Sequence, residues 1–440
     1  MQKIPGAITL TLATVVTGFL IAACDNTTRN STANNGGSAS PAVNTTATTS
    51  DAKGLKIGSL LPATGDLASI GQQMSGAVPL LVDTVNACGG VNGAPVTLVS
   101  VDDQTDPKAG AAGMTKLATL DKVAGVVGSF ASSVSTAALS IATQNKVMLI
   151  SPGSTSPVFT EKAKKGDYKG FWARTAPPDT YQALALAQLA HKKGLKRVST
   201  VVINNDYGVG FEKAFVQAFE KLGGTVVNKN HPVRYDPKAT TFETEAASGF
   251  GGKPNAVLLV AYEETASLLL KAAYQQGLTQ GVQVLLTDGE KSDTFADKVG
   301  KTPDGKYIVA GAIGTVPGSD GKGLEAFSKL WQSKTGSALA PYTPHVWDAA
   351  ALLVLSAQAA KQNTGVGIAS KIREVANGPG TEVSDVCKGL KLLKNGKKIN
   401  YQGASGNVDV DQNGDVIGVY DVWTVGEDGK TKTIDKVSPK

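Results

Sequence analysis

The residues with the most chemical promise stand in short polar clusters, each just after an apolar run. They are Pro62-Ala63-Thr64-Gly65, Ser129 to Ser133, Ser151 to Ser156, Asn204 to Gly208, Tyr262-Glu263-Glu264 and Thr287-Asp288-Gly289. Each supplies hydroxyls, backbone N–H groups near a helix start, or a carboxylate. That mixture suits a small zwitterion. Helix-start N–H groups and hydroxyls hold a carboxylate, and an acid such as Asp288 holds an ammonium. The same residue types are ordinary N-caps and turn formers, so local structure explains any single member. Their recurrence in both halves of the chain points to a cleft.

Other chemistries lack their residues. His191, His231 and His345 are far apart and have no metal-ligand spacing. There is no P-loop, and Gly208-Val209-Gly210 runs on into Phe211-Glu212-Lys213 without the third glycine of a dinucleotide fingerprint. A G-x-S-x-G elbow is absent, which weakens an α/β-hydrolase reading. Asp409-Val410-Asp411-Gln412-Asn413-Gly414 matches the first half of a calcium loop. Its twelfth position is Tyr420, where a bidentate Glu is needed. Strand-like Asn407–Val410 and Val416–Trp423 flank it, so a hairpin turn is the better reading. No cofactor and no metal site is expected.

The elements that must position these clusters alternate regularly from Lys56 onward. Apolar runs Ile57–Leu61, Val96–Val101, Ala124–Val127 and Val147–Ile150 are separated by stretches rich in Ala, Leu, Gln and Lys. The second half repeats the pattern. Val198–Ile203 precedes a helix over Phe211–Leu222, Ala256–Val260 one over Thr265–Gln276, and Val282–Leu286 one near Ser292–Val299. Short continuous apolar strands with helices between them imply parallel sheets covered on both faces. Two sets imply two doubly wound lobes, and ligands of such sheets bind beyond the strand carboxyl ends. The length of 440 residues suits two lobes better than one core.

Lys+Arg 43 against Asp+Glu 37 is a mild excess, with no run of five like charges and no aromatic-interleaved basic stripe, so nucleic acid is not a partner. Residues 1–23 carry one charge, Lys3, then an apolar stretch ending in Ile21-Ala22-Ala23-Cys24, which reads as a secretory leader. The last four residues resemble a bacterial lipobox with Cys24 as the lipidated residue, and Asp25 resembles an enterobacterial signal for inner-membrane residence. Residues 24–54 then form a flexible tether, low in apolar residues, reaching on the order of 30 Å. Cys88 and Cys387 remain. Outside the cytoplasm they either pair or stay as two buried thiols. A bridge would close a loop of 299 residues, for an upper figure of roughly 5–6 kcal/mol.

Further pieces sharpen the reading: Asn86-Ala87 with Gly89-Gly90-Val91-Asn92-Gly93, Asp102-Asp103-Gln104-Thr105-Asp106-Pro107, Ser151-Pro152, Arg174-Thr175 and Asp206-Tyr207-Gly208. In order and spacing, from residue 55 to about 425, the chain resembles the Leu/Ile/Val-binding branch of the type I periplasmic-binding proteins that feed ABC importers. The resemblance implies an α/β fold of two doubly wound parallel-sheet lobes with a hinge and an interlobe cleft. It implies lobe one from 55–173 plus 312–403, and lobe two from 174–311 plus 404–440. It places a ligand carboxylate on Ser132, the Gly153 backbone and Thr155, with Ser133 close by. It places the ammonium on Asp288, and aromatic walls on Tyr207 and Tyr262. The implied role is capture of neutral or branched-chain L-amino acids by hinge closure and delivery to permease subunits from a lipid-anchored, periplasmic position at the inner membrane. Urea, short amides or aromatic acids on the same scaffold, a sensor lobe, and a secreted hydrolase are the rivals; no enzyme activity is expected.

Overall fold

The computed structural model describes residues 54–438. The leader over 1–23, the Cys24 motif and the tether up to residue 53 lie outside the described residues. The first sheet contains β1 (Lys56–Leu61), β2 (Thr97–Asp102), β3 (Gly125–Gly128), β4 (Met148–Ser151) and β5 (Trp172–Arg174), in the order β2-β1-β3-β4-β5. Every neighbouring pair is parallel. The second sheet begins with β6 (Arg197–Ile203), β7 (Thr225–Val226), β8 (Val233–Tyr235), β9 (Ala256–Val260), β10 (Gln283–Leu286) and β11 (Ile313–Pro317). Its run β7-β6-β9-β10-β11 repeats the order of the first sheet, and β8 also pairs with β6. A separate parallel pair, β12 (Thr381–Val383) and β13 (Ile399–Tyr401), stands apart from both. β14 (Tyr420–Val425) and β15 (Thr431–Val437) extend the second sheet antiparallel beyond β11.

β3, β4 and β9 are buried at every position, as strands covered on both faces must be. The Thr343–Ala360 helix, buried along almost its whole length, lies against β3 and β4 and against the Ala77–Ala87 helix. Strand order reverses between β1 and β3 in one sheet and between β6 and β9 in the other. Such reversals open a crevice at the carboxyl ends, and they bring Ser129 to Ser133 to one crevice and Tyr207 with Tyr262 to the other. The described residues form one compact unit, and the lobes touch across the cleft through bonds such as Tyr342 to Asp288 and Ser156 to the Asp206 carbonyl.

Four details differ from the sequence reading. Ile313–Pro317, placed in lobe one by the 312–403 division, is the fifth parallel strand of the second sheet. Arg174, placed in lobe two, ends β5 of the first sheet. Ala404 and Ser405 donate backbone N–H groups to Asp348 on the Thr343–Ala360 helix, and Val410 pairs with Asn377, so the chain stays on lobe one past residue 403. Nor are Asn407–Val410 and Val416–Val419 strands; the hairpin is instead β14 to β15. Backbone pairing with neighbours remote in sequence sets these crossings, and apolar periodicity does not register it. A disulfide joins Cys88, at the end of the Ala77–Ala87 helix, to Cys387 in the first turn of the Val386–Lys394 helix, with Cα atoms 5.9 Å apart.

Candidate functional site: the interlobe cleft

Lobe one supplies a wall of hydroxyls. The Ser129 carbonyl accepts from the hydroxyls of Ser135 at 3.1 Å, Ser151 at 2.5 Å and Ser154 at 3.2 Å. Ser151 Oγ in turn accepts from the backbone N–H groups of Gly153 and Ser154. These serines hold the loops after β3 and β4 in one shape. Ser132, at the start of the Ser132–Gln144 helix, accepts from Ser156 N at 3.2 Å, and Ser133 beside it is half-buried. Gly153 has no room for a side chain, since a Cβ there would come within 2.2 Å of the Phe130 ring. The Thr155 hydroxyl is buried and makes no hydrogen bond.

Lobe two supplies carboxylates and aromatic rings. Asn205 caps the Asp206–Lys221 helix through Tyr207 N and Gly208 N, which fixes Tyr207 over the crevice. Tyr207 and Tyr262 stack with centroids 5.9 Å apart and planes 7° from parallel. The Tyr262 hydroxyl accepts from Asn205 Nδ2 at 3.2 Å. Asp288 follows β10 and is buried. Its Oδ1 receives Gln182 Nε2 and the Tyr207 hydroxyl, both at 2.9 Å, and its Oδ2 receives the Tyr342 hydroxyl at 2.6 Å. Burial pushes the Asp288 pKa up, and the three donors pull it back.

A second carboxylate lies beside it. Asp179 is the first residue of the Asp179–Lys192 helix, and its N–H donates to the Thr155 carbonyl at 2.8 Å. Its carboxylate is fully buried next to the Thr155 hydroxyl, yet neither oxygen completes a hydrogen bond. Burial first, then repulsion from Asp288, holds its pKa well above the carboxylate range. Two carboxyls buried this close disfavour each other's charged form, and a cation placed between them would relieve that. Glu290 has a different task. Its carboxylate accepts from Ala261 N, Thr287 N and the Thr287 hydroxyl, stitching the ends of β9 and β10 together, and burial raises its pKa to about 8.

The lobes meet at several points around this site. Tyr342 reaches Asp288 from the start of the Thr343–Ala360 helix, and Phe130 meets the Tyr342 ring edge-on at 4.7 Å. Ser69 donates to Glu263, and Ser156 Oγ donates to the Asp206 carbonyl at 2.7 Å. At the crossing, fully buried Arg174 donates to Asp415 at 2.7 Å, to the carbonyls of Ser154 and Ser156, both at 3.0 Å, and to Thr160. Arg174 therefore clamps the Thr155 loop to the crossing chain. The calcium-like segment is consumed by this arrangement: Asp411 Oδ1 accepts from Asn413 N and Asp415 N, and Asp415 serves Arg174. Among the described residues no His, Cys, Asp and Glu group is arranged to hold a metal ion.

Of the residues singled out from sequence, the structure brings Ser132, Gly153, Thr155, Tyr207, Tyr262 and Asp288 to the two facing crevices, with Ser133 at their edge. Asp179, Gln182 and Tyr342 were missed. Asp179 and Gln182 follow Pro177-Pro178, where an Asp reads as an ordinary first-turn acid. Tyr342 stands with φ 65° just before the Pro344 helix start, and a backbone conformation rare for tyrosine is not visible in sequence.

Comparison with known proteins agrees with this geometry. Residues 73–428 match the model of the receptor family ligand binding region. A chemotactic signal transduction system substrate-binding protein, BasB, from Halobacterium salinarum is 27% identical over 361 residues, spanning 80% of this chain and 83% of that one. A Leu/Ile/Val-binding protein homologue from Brucella abortus is 28% identical, over 73% of this chain and 82% of that one. The leucine-binding protein LivK of Thermotoga maritima superposes with a TM-score of 0.73 at 24% identity, covering 88% of this chain and 99% of that one. These relatives are solute-binding proteins rather than enzymes. With two repeated parallel sheets facing each other over a buried polar cleft, the chain belongs to the receptor family ligand binding region and has the fold of type I periplasmic binding proteins.

Proposed function

We propose that this chain is the extracytoplasmic binding component of an ABC importer, capturing neutral or branched-chain L-amino acids between its lobes. The observation that carries the reading is the polarity of the cleft. Buried Asp288 lies on lobe two, the helix start at Ser132 and Ser133 lies on lobe one, and buried Asp179 stands beside the Thr155 hydroxyl where the lobes meet. An α-ammonium satisfies the acids, and an α-carboxylate takes the Ser132, Thr155 and Gly153 groups. Burying both charges is tolerable only when each is paired, so closure of the lobes and capture are one event. Tyr207 and Tyr262 give the side chain a flat, mostly apolar surface. Catalysis is a poorer use of the site. Buried His345, its pKa pushed down to about 3, is a weak base at neutral pH.

In the same reading, residues 1–23 are removed, Cys24 is lipidated, and the 25–54 tether keeps the body at the periplasmic face of the inner membrane beside its permease subunits. The lobe division follows the two sheets, with crossings near residues 175–178, 318–323 and 411–419. No helix among the described residues is long and apolar enough to cross a membrane.

Thermal unfolding against the standard L-amino acids, urea, acetamide, benzoate and sugars tests the reading. A ligand at about 1,000 times its Kd stabilises by about 4 kcal/mol. Shifts confined to neutral amino acids, and lost in Asp288→Ala, are the expected result; shifts with urea or benzoate alone would keep the scaffold and replace the substrate. Similarity to the archaeal chemotactic binding protein favours a second reading, a sensor that presents the same ligand to a membrane transducer. Amino-acid uptake by cells lacking the protein separates the two, since a sensor's loss leaves uptake unchanged.

A further inference from the structure

Two stretches of the chain are densely basic, 192–197 and 388–398, and the second carries the larger number of lysines. Between Ser384 and Lys398 stand Lys388, Lys391, Lys394, Lys397 and Lys398 against a single acid, Asp385. Asp385 caps the Val386–Lys394 helix by accepting from Lys388 N at 2.8 Å. The helix buries Val386, Gly389, Leu390 and Leu393 and turns its three lysines outward; Lys397 and Lys398 continue the exposed face. Among the described residues none of the five lysines is in an ion pair. The nearby acids Glu382 and Glu374 are taken by Lys322 and Lys371.

The position of this patch is as informative as its charge. The Cys88–Cys387 bridge fixes the helix start to the end of the Ala77–Ala87 helix. From Cys88 the chain turns through Gly90 and Ala94 to Pro95, and Gly54 sits against the Pro95 carbonyl. Leu55 O then accepts from Thr97 N at 2.9 Å, where β1 and β2 begin. The patch and the point where residues 1–53 join the body therefore share the amino-terminal pole of the first sheet, opposite the cleft.

We propose that the Val386–Lys398 segment docks on anionic phospholipid headgroups, setting the base of lobe one on the bilayer with the cleft facing away. A lipid surface fits better than a protein partner. Protein interfaces are anchored by Trp, Tyr and Arg and depleted in Lys, and this patch has neither aromatic nor arginine. Lysines act as separate point charges and accumulate attraction to a diffuse anionic surface. This orientation suits loading; delivery through the cleft requires release from it. It rests on the membrane-tether reading for its setting, while the surface itself is testable without lipid or leader.

The test uses residues 25–440 with Cys24 absent, which retain every element of both lobes. Sedimentation with phosphatidylcholine vesicles, with and without about 30% phosphatidylglycerol, is measured at roughly 50 and 500 mM salt, where screening lengths differ about threefold. The protein is expected to bind only the anionic vesicles and to release at high salt. Replacing the five lysines by Gln should cut partitioning at least tenfold. Replacing Lys164, Lys165, Lys192, Lys193 and Lys196 should leave it within about twofold. No binding to anionic vesicles, equal binding to neutral ones, or equal loss in both variants would overturn the proposal. Unfolding midpoints confirm that the variants fold. An amino-acid shift that persists when vesicle binding fails, or the reverse, tells failure of this surface from failure of the ligand reading.

Discussion

The two walls of the cleft are built of different materials. Lobe one uses neutral groups, and most of its serines are spent on its own backbone: three hydroxyls converge on the Ser129 carbonyl alone. Lobe two concentrates charge, with Asp288 fully donated to and Asp179 buried without a donor. The neutral wall is rigid before any ligand arrives, so its shape selects. The acidic wall holds carboxyls whose charged form burial disfavours, so it is the side on which pairing with a cation would change most. Substitutions on the two sides should therefore fail in different ways.

The largest effect is expected from Asp288→Ala. Removing one partner of a buried ion pair costs roughly 3–5 kcal/mol, so titration calorimetry should show at least about a 100-fold loss of amino-acid affinity, and the unfolding midpoint should also fall because Gln182, Tyr207 and Tyr342 lose their buried acceptor. Gly153→Ala tests the rigid wall. Its Cβ would meet Phe130 at 2.2 Å and displace the ring that supports Tyr342. Overpacking of this kind costs about 1–3 kcal/mol, so both the unfolding midpoint and affinity should fall; an unchanged midpoint would show that Phe130 moves freely. Asp179→Asn should separate the two properties, weakening binding about tenfold while stabilising the unliganded protein by about 1–2 kcal/mol. The gain should be larger at pH 8.5 than at 6.5, because a carboxyl with a raised pKa destabilises more as it ionises.

The same sign applies to the whole protein. Glu290 and Asp103 have pKa values raised to about 8 and about 7, both mainly by burial. A group raised in the folded state contributes stability below its unfolded pKa and loses it as pH rises through the folded value. His345, depressed to about 3, opposes this only below its unfolded pKa of about 6.5. Melting temperature should therefore rise on going from pH 8.5 to 6.5, and Asp103→Asn should flatten the part around pH 7. The smallest effect belongs to Tyr262→Phe. It removes one 3.2 Å hydrogen bond from Asn205, worth about 1 kcal/mol or less, and should leave the order of preferred amino acids unchanged.

Much of this was legible in the sequence because strand ends are chemically marked. Val126-Val127 before Ser129, Leu149-Ile150 before Ser151 and Leu285-Leu286 before Asp288 announce an apolar strand giving way to a polar crevice. Asp179, Gln182 and Tyr342 carry no such mark. They lie at helix starts, where acids and polar residues are common for local reasons, and only the packing of helices on the sheets aims them inward. The crossings were missed for a related reason. β11 pairs with β14 across more than a hundred residues, and no local pattern in Ile313–Pro317 says which sheet it joins.

That pairing has a consequence for how the protein comes into being. The first sheet lacks its cover until the Thr343–Ala360 helix arrives, and the second lacks its antiparallel edge until Tyr420–Val437 does. A chain emerging amino terminus first can finish neither lobe before most of it has been synthesised. Contacts so distant in sequence also slow folding. Chains cut successively from the carboxyl end should therefore lose protease resistance first in lobe two, once Tyr420–Val437 is gone, and in lobe one when the cut reaches the Thr343–Ala360 helix; resistance of the first lobe in a chain ending near residue 320 would contradict this.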